Sequence, residues 1–538
     1  MGDDECRFHI DYNIFSPFVK GKTAFFKNTV AFLKKMWYDG TVIPKTPLMP
    51  GGSMLFNSYS FLLFFPLVLI AVGLVPARWK NPALLLASYY FYSCFSKRYC
   101  LLLLGCTLVV YFAARLLRNR KWAFWGGLTI LLGVLALFKY TDFALYTLEK
   151  LLGKLGTDRS LPRLNLILPM GISFFTFQAA GYLMDVYKGK YPPEENFVRF
   201  ALFVSFFPQL VSGPIGRGDQ LLPQYAAPEK PGFQDLRAGL LTLTWGYFQK
   251  LVIADRAAIL VDTVYGNIEG FPGICLVFAT MLYALQILCD FSGCSSMAIG
   301  AARMLGIRLP ENFNAPYFAQ SIQEFWRRWH ISLSTWFRDY VYFPLGGSRC
   351  GRWKTYRNIL IVFLLSGLWH GANWSFVVWG LLHGLYQIIG RATRPCREKA
   401  LDALGVNRDT DCFRVLRMAV TFLLVDFAWI FFRAENLSAA VAVIGRIFAD
   451  PGLFPLMDAL RNHTMGLDGP EMRVLVLAVL TLLGADVLRS RGVDLQAWFA
   501  KQNWLFRELL LITFMLIVFI FGIWGNGFDA SSFIYFQF

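Results

Sequence analysis

Residues 358–390 read NILIVFLLSGLWHGANWSFVVWGLLHGLYQIIG, a run without Lys, Arg, Asp or Glu that Arg357 closes on one side and Arg391 on the other. A hydrocarbon layer about 30 Å thick is crossed by about 20 apolar helical residues. A stretch of this length and composition therefore reads as helix inside a membrane. Yet it carries His370, flanked by Trp369 and Gly371, and His383. An ionisable side chain in a span is costly and usually faces a bundle interior or a water-filled path. If the helix is continuous, Ser366, His370 and Trp374 recur every fourth residue and share one stripe. His383, 13 residues on, falls roughly 220° round the same helix and off that face, a place that suits a structural or helix-end residue.

The rest of the chain repeats the pattern. Of 538 residues, 56% are hydrophobic, 17% aromatic and only 16% charged, with a mean hydropathy of +0.46. Soluble domains carry about 25% charged residues. Apolar blocks fall near 58–76, 82–95, 99–117, 122–138, 165–186, 198–213, 237–262 and 271–302, then near 357–389, 413–432, 436–449, 472–487 and 507–525. The expected fold is an all-α polytopic membrane protein with roughly 11–13 membrane-embedded helices. Block 198–213 ends in Pro and Gly, so a re-entrant or interfacial element enclosed by protein is expected there.

The net charge of +17 would suggest nucleic acid in a soluble protein. Here the basic residues collect at block edges, as at Arg115–Lys121 and Arg391–Arg397, which is the positive-inside pattern of cytoplasmic loops. No nucleic-acid partner is implied. Such a basic face could attract an anionic coenzyme or a carrier-protein phosphopantetheine. The ten cysteines form no CxxC pair and no Cys/His zinc spacing, and most sit in apolar blocks. Buried structural thiols and no metal site are the expectation.

Residues 1–53 are mixed in charge and hold no span, whereas Met54 opens directly into MLFNSYSFLLFFPLVLIAVGLV. The division expected is a leader or start-site extension over 1–53 and one integral domain over 54–538. The interval 310–350 is too polar for lipid and too aromatic for a solvated loop, with Trp326, Trp329, Trp336, Tyr340 and Tyr342 among Arg327, Arg328, Arg338 and Arg349. It predicts one or two amphipathic helices at the interface or dipping into a protein-lined cavity. His330 lies in it, flanked by Trp329 and Ile331. Asp290 is a carboxylate in an otherwise uncharged block with small neighbours. It needs a partner, and its roles open at this point are orienting a histidine or substrate group, or capping a broken helix at Asp290–Gly293.

These stretches together resemble the membrane-bound O-acyltransferase family, in its bacterial branch of alginate O-acetyltransferase membrane subunits and teichoic acid D-alanyl transferases. The matching segments are MLFNSYSFLLFF (54–65), SFFTFQAAGYLMDVYKGK (173–190), FFPQLVSGPIGR (206–217), DFSGCSSMAIGAARMLGI (290–307), NFNAPYFAQSIQEFWRRWHISLSTWFRDYVYFPLGGSR (312–349) and GLWHGANW (367–374). The resemblance implies a bundle around a central tunnel, with His370 as the catalytic histidine and His330 at a second position that holds Asn or His. One departure stands out: Cys294 and Ser296 occupy places where many relatives have Tyr and Asp.

Acyl transfer from a thioester to a hydroxyl needs a base near operating pH, and imidazole supplies one. Indole N–H groups of Trp369 and Trp374 are candidate stabilisers of the oxyanion, with Asp290 and Ser366 as supporting residues. The chain ends Phe533-Ile-Tyr535-Phe-Gln-Phe538, similar to the terminal motif of the small partner peptide of D-alanylation systems, which makes Tyr535 a candidate acyl relay. The resemblance implies no bound cofactor, and acetyl-CoA or an acyl carrier protein thioester as donor. It implies the cytoplasmic (inner) membrane as location, with membrane lipids around the chain. A polysaccharide acceptor and an extracytoplasmic serine-type (SGNH) acetyltransferase partner complete the expectation. The rival readings are a D-alanyl transferase for teichoic acids and, from another class, a transporter without chemistry of its own.

Overall fold

The structure is a computed structural model that describes residues 54–524 apart from 118–119, 158–159, 451 and 453. The leader expected over 1–53 and the tail with Tyr535 lie outside the described residues. Within them the regular secondary structure is all helical, with no strand. Lys97–Leu116, Trp122–Lys139, Gly273–Met304, Asp411–Arg433 and Trp504–Phe521 are each long and apolar enough to cross a bilayer. This is a multi-pass membrane protein. Most of the remaining predicted blocks also form helices, among them Tyr59–Leu74, Ala77–Ser93, Ile172–Tyr187 and Gly469–Ser490.

Helix starts follow the polar punctuation between blocks. Ser58 and Ser96 accept hydrogen bonds from the backbone N–H groups of Phe61 (3.2 Å) and Tyr99 (3.4 Å), satisfying donors left open in the first turn. The block at 198–213 divides into two helices, Phe197–Ser205 and Phe207–Leu210. Phe206 and Phe207 at the break are wholly buried, so protein rather than lipid surrounds the interrupted backbone. The block at 237–262 is also interrupted, by a π-helical segment over Phe248–Ala254.

The longest helix among the described residues, Gly273–Met304, has 32 residues, most of them buried. Its small residues admit a close neighbour: a Cβ at Gly293 would lie 2.9 Å from the Gly246 carbonyl oxygen, and one at Gly300 would lie 2.6 Å from that of Gly239. Small residues let helix backbones approach in this way.

The deciding stretch at 358–390 is not one helix. Arg352–His370 ends at the histidine, and Gly371 leaves in an extended conformation (φ −159°, ψ 149°). Asn373 then caps a second helix, Trp374–Ala392, by accepting from the backbone N–H of Ser375 at 3.1 Å. The two helices fold back on each other as a hairpin. A Cβ at Gly367 would fall 2.2 Å from the Phe376 carbonyl oxygen, and one at Gly380 2.3 Å from that of Phe363. Any larger side chain at either place would force the arms apart.

The aromatic interval at 310–350 dips into the protein, the second of its two expected dispositions. It forms two short helices, Ile322–Arg328 and Ile331–Phe337. His330 joins them in a left-handed backbone conformation (φ 43°). Phe325, Trp329, Trp336 and Phe337 anchor the insertion and are all buried.

Candidate active site

The hairpin tip and the inserted helices meet at His370 and His330. His370 is the last residue of its helix and only 3% exposed. Its ring packs edge-on against Trp369 (4.9 Å between centroids), Trp379 (5.0 Å) and Phe432 (5.3 Å). His330 is wholly buried and packs against Phe291 (4.6 Å) and Trp369 (5.8 Å). The Trp369 indole thus stands between two imidazoles. Phe174 (5.4 Å) and Phe177 (5.7 Å) close its other side from the Ile172–Tyr187 helix. Two of the sequence's candidates, forty residues apart in the chain, share one aromatic chamber.

The hydrogen bonds of His330 fix its tautomer. Asn312 Oδ1 accepts from the Ser332 backbone N–H (3.1 Å) and hydroxyl (2.8 Å). A backbone N–H can only donate, so the accepting atom is the amide oxygen. His330 Nδ1, 3.2 Å from the same atom, must then be the donor. Nδ1 therefore carries a proton, and in the neutral ring Nε2 keeps a lone pair. That Nε2 is buried and has no hydrogen-bond partner among the described residues. Burial pushes this imidazole down to about 3, because low dielectric disfavours the charged form.

The break at Gly371 changes which residues join the chamber. Ser366 remains one turn before His370 on the same helix and is buried. Trp374 does not continue the stripe, because it opens the second helix; it is 46% exposed and packs 5.7 Å from Phe143. The antiparallel return instead brings in Trp379 and His383. His383 is wholly buried, packs 4.9 Å from Trp379 and accepts from Trp326 Nε1 at 3.2 Å. The off-face position expected for His383 assumed a continuous helix, and the turn removes that assumption. The signal was present in the sequence: Gly371 before Asn373 is a stop followed by a cap.

Asp290 does have a partner, and it is a lysine. Lys250 on the π-helical segment lies 2.5 Å from Asp290 Oδ1 and 2.8 Å from Asp255 Oδ1, with all three side chains buried. The helix runs unbroken through Asp290, so capping is not its task. The next residue, Phe291, turns the other way and meets His330. Asp290 thus braces the helix that supplies one wall of the chamber.

The helical bundle buries three imidazoles, His330, His370 and His383, among indole and phenyl rings. Comparison with known proteins gives the class. Residues 194–403, which include both His330 and His370, match the model of the membrane-bound O-acyltransferase family. The chain is 39% identical over 437 residues to "Probable alginate O-acetylase AlgI" of Pseudomonas aeruginosa, covering 80% of this chain and 81% of that one. It is 36% identical over 429 residues to "Peptidoglycan O-acetyltransferase" of Helicobacter pylori, covering 73% and 79%. A more distant relative is "Teichoic acid D-alanyltransferase" of Bacillus subtilis, 29% identical over 297 residues and covering 51% and 71%. The chain belongs to the membrane-bound O-acyltransferase family and is an O-acyltransferase.

Proposed function

We propose that this enzyme moves acetyl groups from a cytoplasmic thioester, acetyl-CoA or an acyl carrier protein, toward an extracytoplasmic polysaccharide, with His370 as general base. The observation that carries the reading is the pairing of His330 and His370 about Trp369 at the closed tip of a hairpin whose open end is basic. Arg349 precedes the first arm and Arg352, Lys354 and Arg357 open it, while Arg391 stands in the last turn of the second arm and Arg394 and Arg397 follow, all exposed. Basic residues at span ends favour the cytoplasmic side, so both hairpin ends face the cytoplasm in this reading. Counted from Arg357, the last basic residue of the first arm, His370 lies 13 residues on, about 20 Å into the membrane at 1.5 Å per residue. A base at that depth suits transfer across the cytoplasmic (inner) membrane.

In the step itself the acceptor hydroxyl oxygen attacks the thioester carbonyl carbon while His370 takes the hydroxyl proton. The tetrahedral oxyanion then collapses, the C–S bond breaks, and the thiolate leaves with the proton from the imidazolium. Trp379 is the candidate oxyanion donor. It is wholly buried beside His370, and its Nε1 has no hydrogen-bond partner among the described residues. An unpaired buried N–H costs about 1–3 kcal/mol, a cost that an oxyanion would relieve at the moment it forms. Trp379→Phe should keep the ring packing yet lower kcat about a hundredfold with little change in KM, measured as thiol release from acetyl-CoA.

Acetyl is favoured over D-alanyl transfer by the higher identity to the two acetylating relatives, 39% and 36% against 29%. Their names give alginate and peptidoglycan as acceptors for those proteins, which supports a polysaccharide here. Tyr535 is the proposed relay, passing acetyl to an SGNH-type partner. The test uses the full chain in proteoliposomes with radiolabelled acetyl-CoA, or an acetylated carrier protein, comparing wild type with Tyr535→Phe. Label on the wild-type chain that is absent from Tyr535→Phe supports the relay. Donor turnover without protein-bound label removes Tyr535 but keeps the enzyme. No turnover with either donor would overturn the acetyl reading.

A further inference from the structure

We propose that Lys139 and Tyr140 form a clamp that sets the position of His370, which makes them positioning residues for the reaction; this rests on His370 being the base. The last four carbonyls of a helix have no partner inside it. In the Arg352–His370 helix the first of these, Gly367 O, accepts from the backbone N–H of Gly371 at 3.2 Å. The other three are met from outside. The Tyr140 hydroxyl donates to Leu368 O at 2.9 Å, and the Lys139 ammonium donates to Trp369 O at 2.5 Å and His370 O at 3.1 Å. Two adjacent side chains, some 230 residues upstream, thus satisfy three consecutive carbonyls.

Charge reinforces the contact. A helix C-terminus carries about half a negative charge, and a cation there is stabilising. Lys139 Nζ also lies 5.9 Å from the centre of the Trp369 ring, within cation–π range. The ammonium therefore grips the backbone of both chamber residues and the face of one of them. Lys139 is itself the last residue of the Trp122–Lys139 helix, so the hairpin tip is pinned to a rigid spanning element.

This matters because the chain leaves the helix at Gly371 in one step. No further helical turn holds His370 from its C-terminal side. A displacement of about 1 Å in a reacting group can cost about a hundredfold in rate. Methionine at 139 has similar length but no donor, whereas arginine keeps charge and donors in a different geometry.

The test takes the purified full chain with acetyl-CoA as probe and compares Lys139→Met, Lys139→Arg and Tyr140→Phe. Lys139→Met should lower kcat at least about tenfold with KM within about twofold, and Lys139→Arg should regain most of the loss. Tyr140→Phe, which removes one bond of three, should lose about two- to fivefold. The second readout is labelling of histidine peptides by diethyl pyrocarbonate, with the exposed His463 as internal reference. In Lys139→Met, labelling of His370 should rise several-fold while His330 stays unchanged. Wild-type turnover and labelling in Lys139→Met overturn the clamp, as does a joint rise at His370 and His330, which reports general loosening. If His370→Ala keeps turnover, the base assignment fails, and the labelling ratio still decides whether Lys139 holds the turn.

Discussion

Replacing His370 with alanine is expected to lower acyl turnover by about three orders of magnitude or more while the protein still folds. General-base catalysis contributes about 10²–10⁴ in rate, and a thousandfold loss corresponds to about 4 kcal/mol of barrier. The fold should survive because the His370 side chain is held by ring contacts with Trp369, Trp379 and Phe432, all of which keep other neighbours. Thiol release from acetyl-CoA measures the chemistry, and the thermal midpoint in detergent measures the fold. Turnover within tenfold of wild type would move the base elsewhere, and His330 with its open Nε2 is then the next group to test.

The second large effect is on stability. Lys250→Met should destabilise the protein by about 3–5 kcal/mol, because it leaves the Asp255 and Asp290 carboxylates buried without their cation. The loss belongs to the unpaired charges and not to the lysine. Converting both acids as well, in Lys250→Met with Asp255→Asn and Asp290→Asn, should restore much of the thermal midpoint. If the single and triple variants melt together, the ion cluster is not what braces the chamber wall. Activity in the triple variant separates bracing of the wall from chemistry at the imidazoles.

The apolar blocks made the helices legible, because lipid demands long uncharged runs and basic loops between them. The aromatic and basic interval at 310–350 was legible as an insertion for the converse reason. What the pattern hid was the turn at Gly371–Asn373. A hairpin closed by Gly367 and Gly380 is as apolar on both arms as a single long helix, so hydropathy cannot tell them apart. That one turn moved Trp374 outward and brought Trp379 and His383 in. Lys139 and Tyr140 were invisible for another reason: each meets its partner through backbone carbonyls, which leave no trace in residue type. Lys250 and Asp255 were open to view as charges within an apolar block, but the pattern did not show that Lys250 bridges Asp255 and Asp290.

One consequence follows from the left-handed backbone at His330. Among side-chain-bearing residues that conformation is several-fold enriched in Asn, Asp and His, and β-branched or bulky ones avoid it. Aspartate would bring a negative charge into a chamber lined by indoles and phenyl rings. Asparagine and histidine are left, the same two residues that the family resemblance assigns to this position. A bend in the main chain thus acts as a sieve on mutation, screening which side chains can arrive before selection ever weighs what they do there.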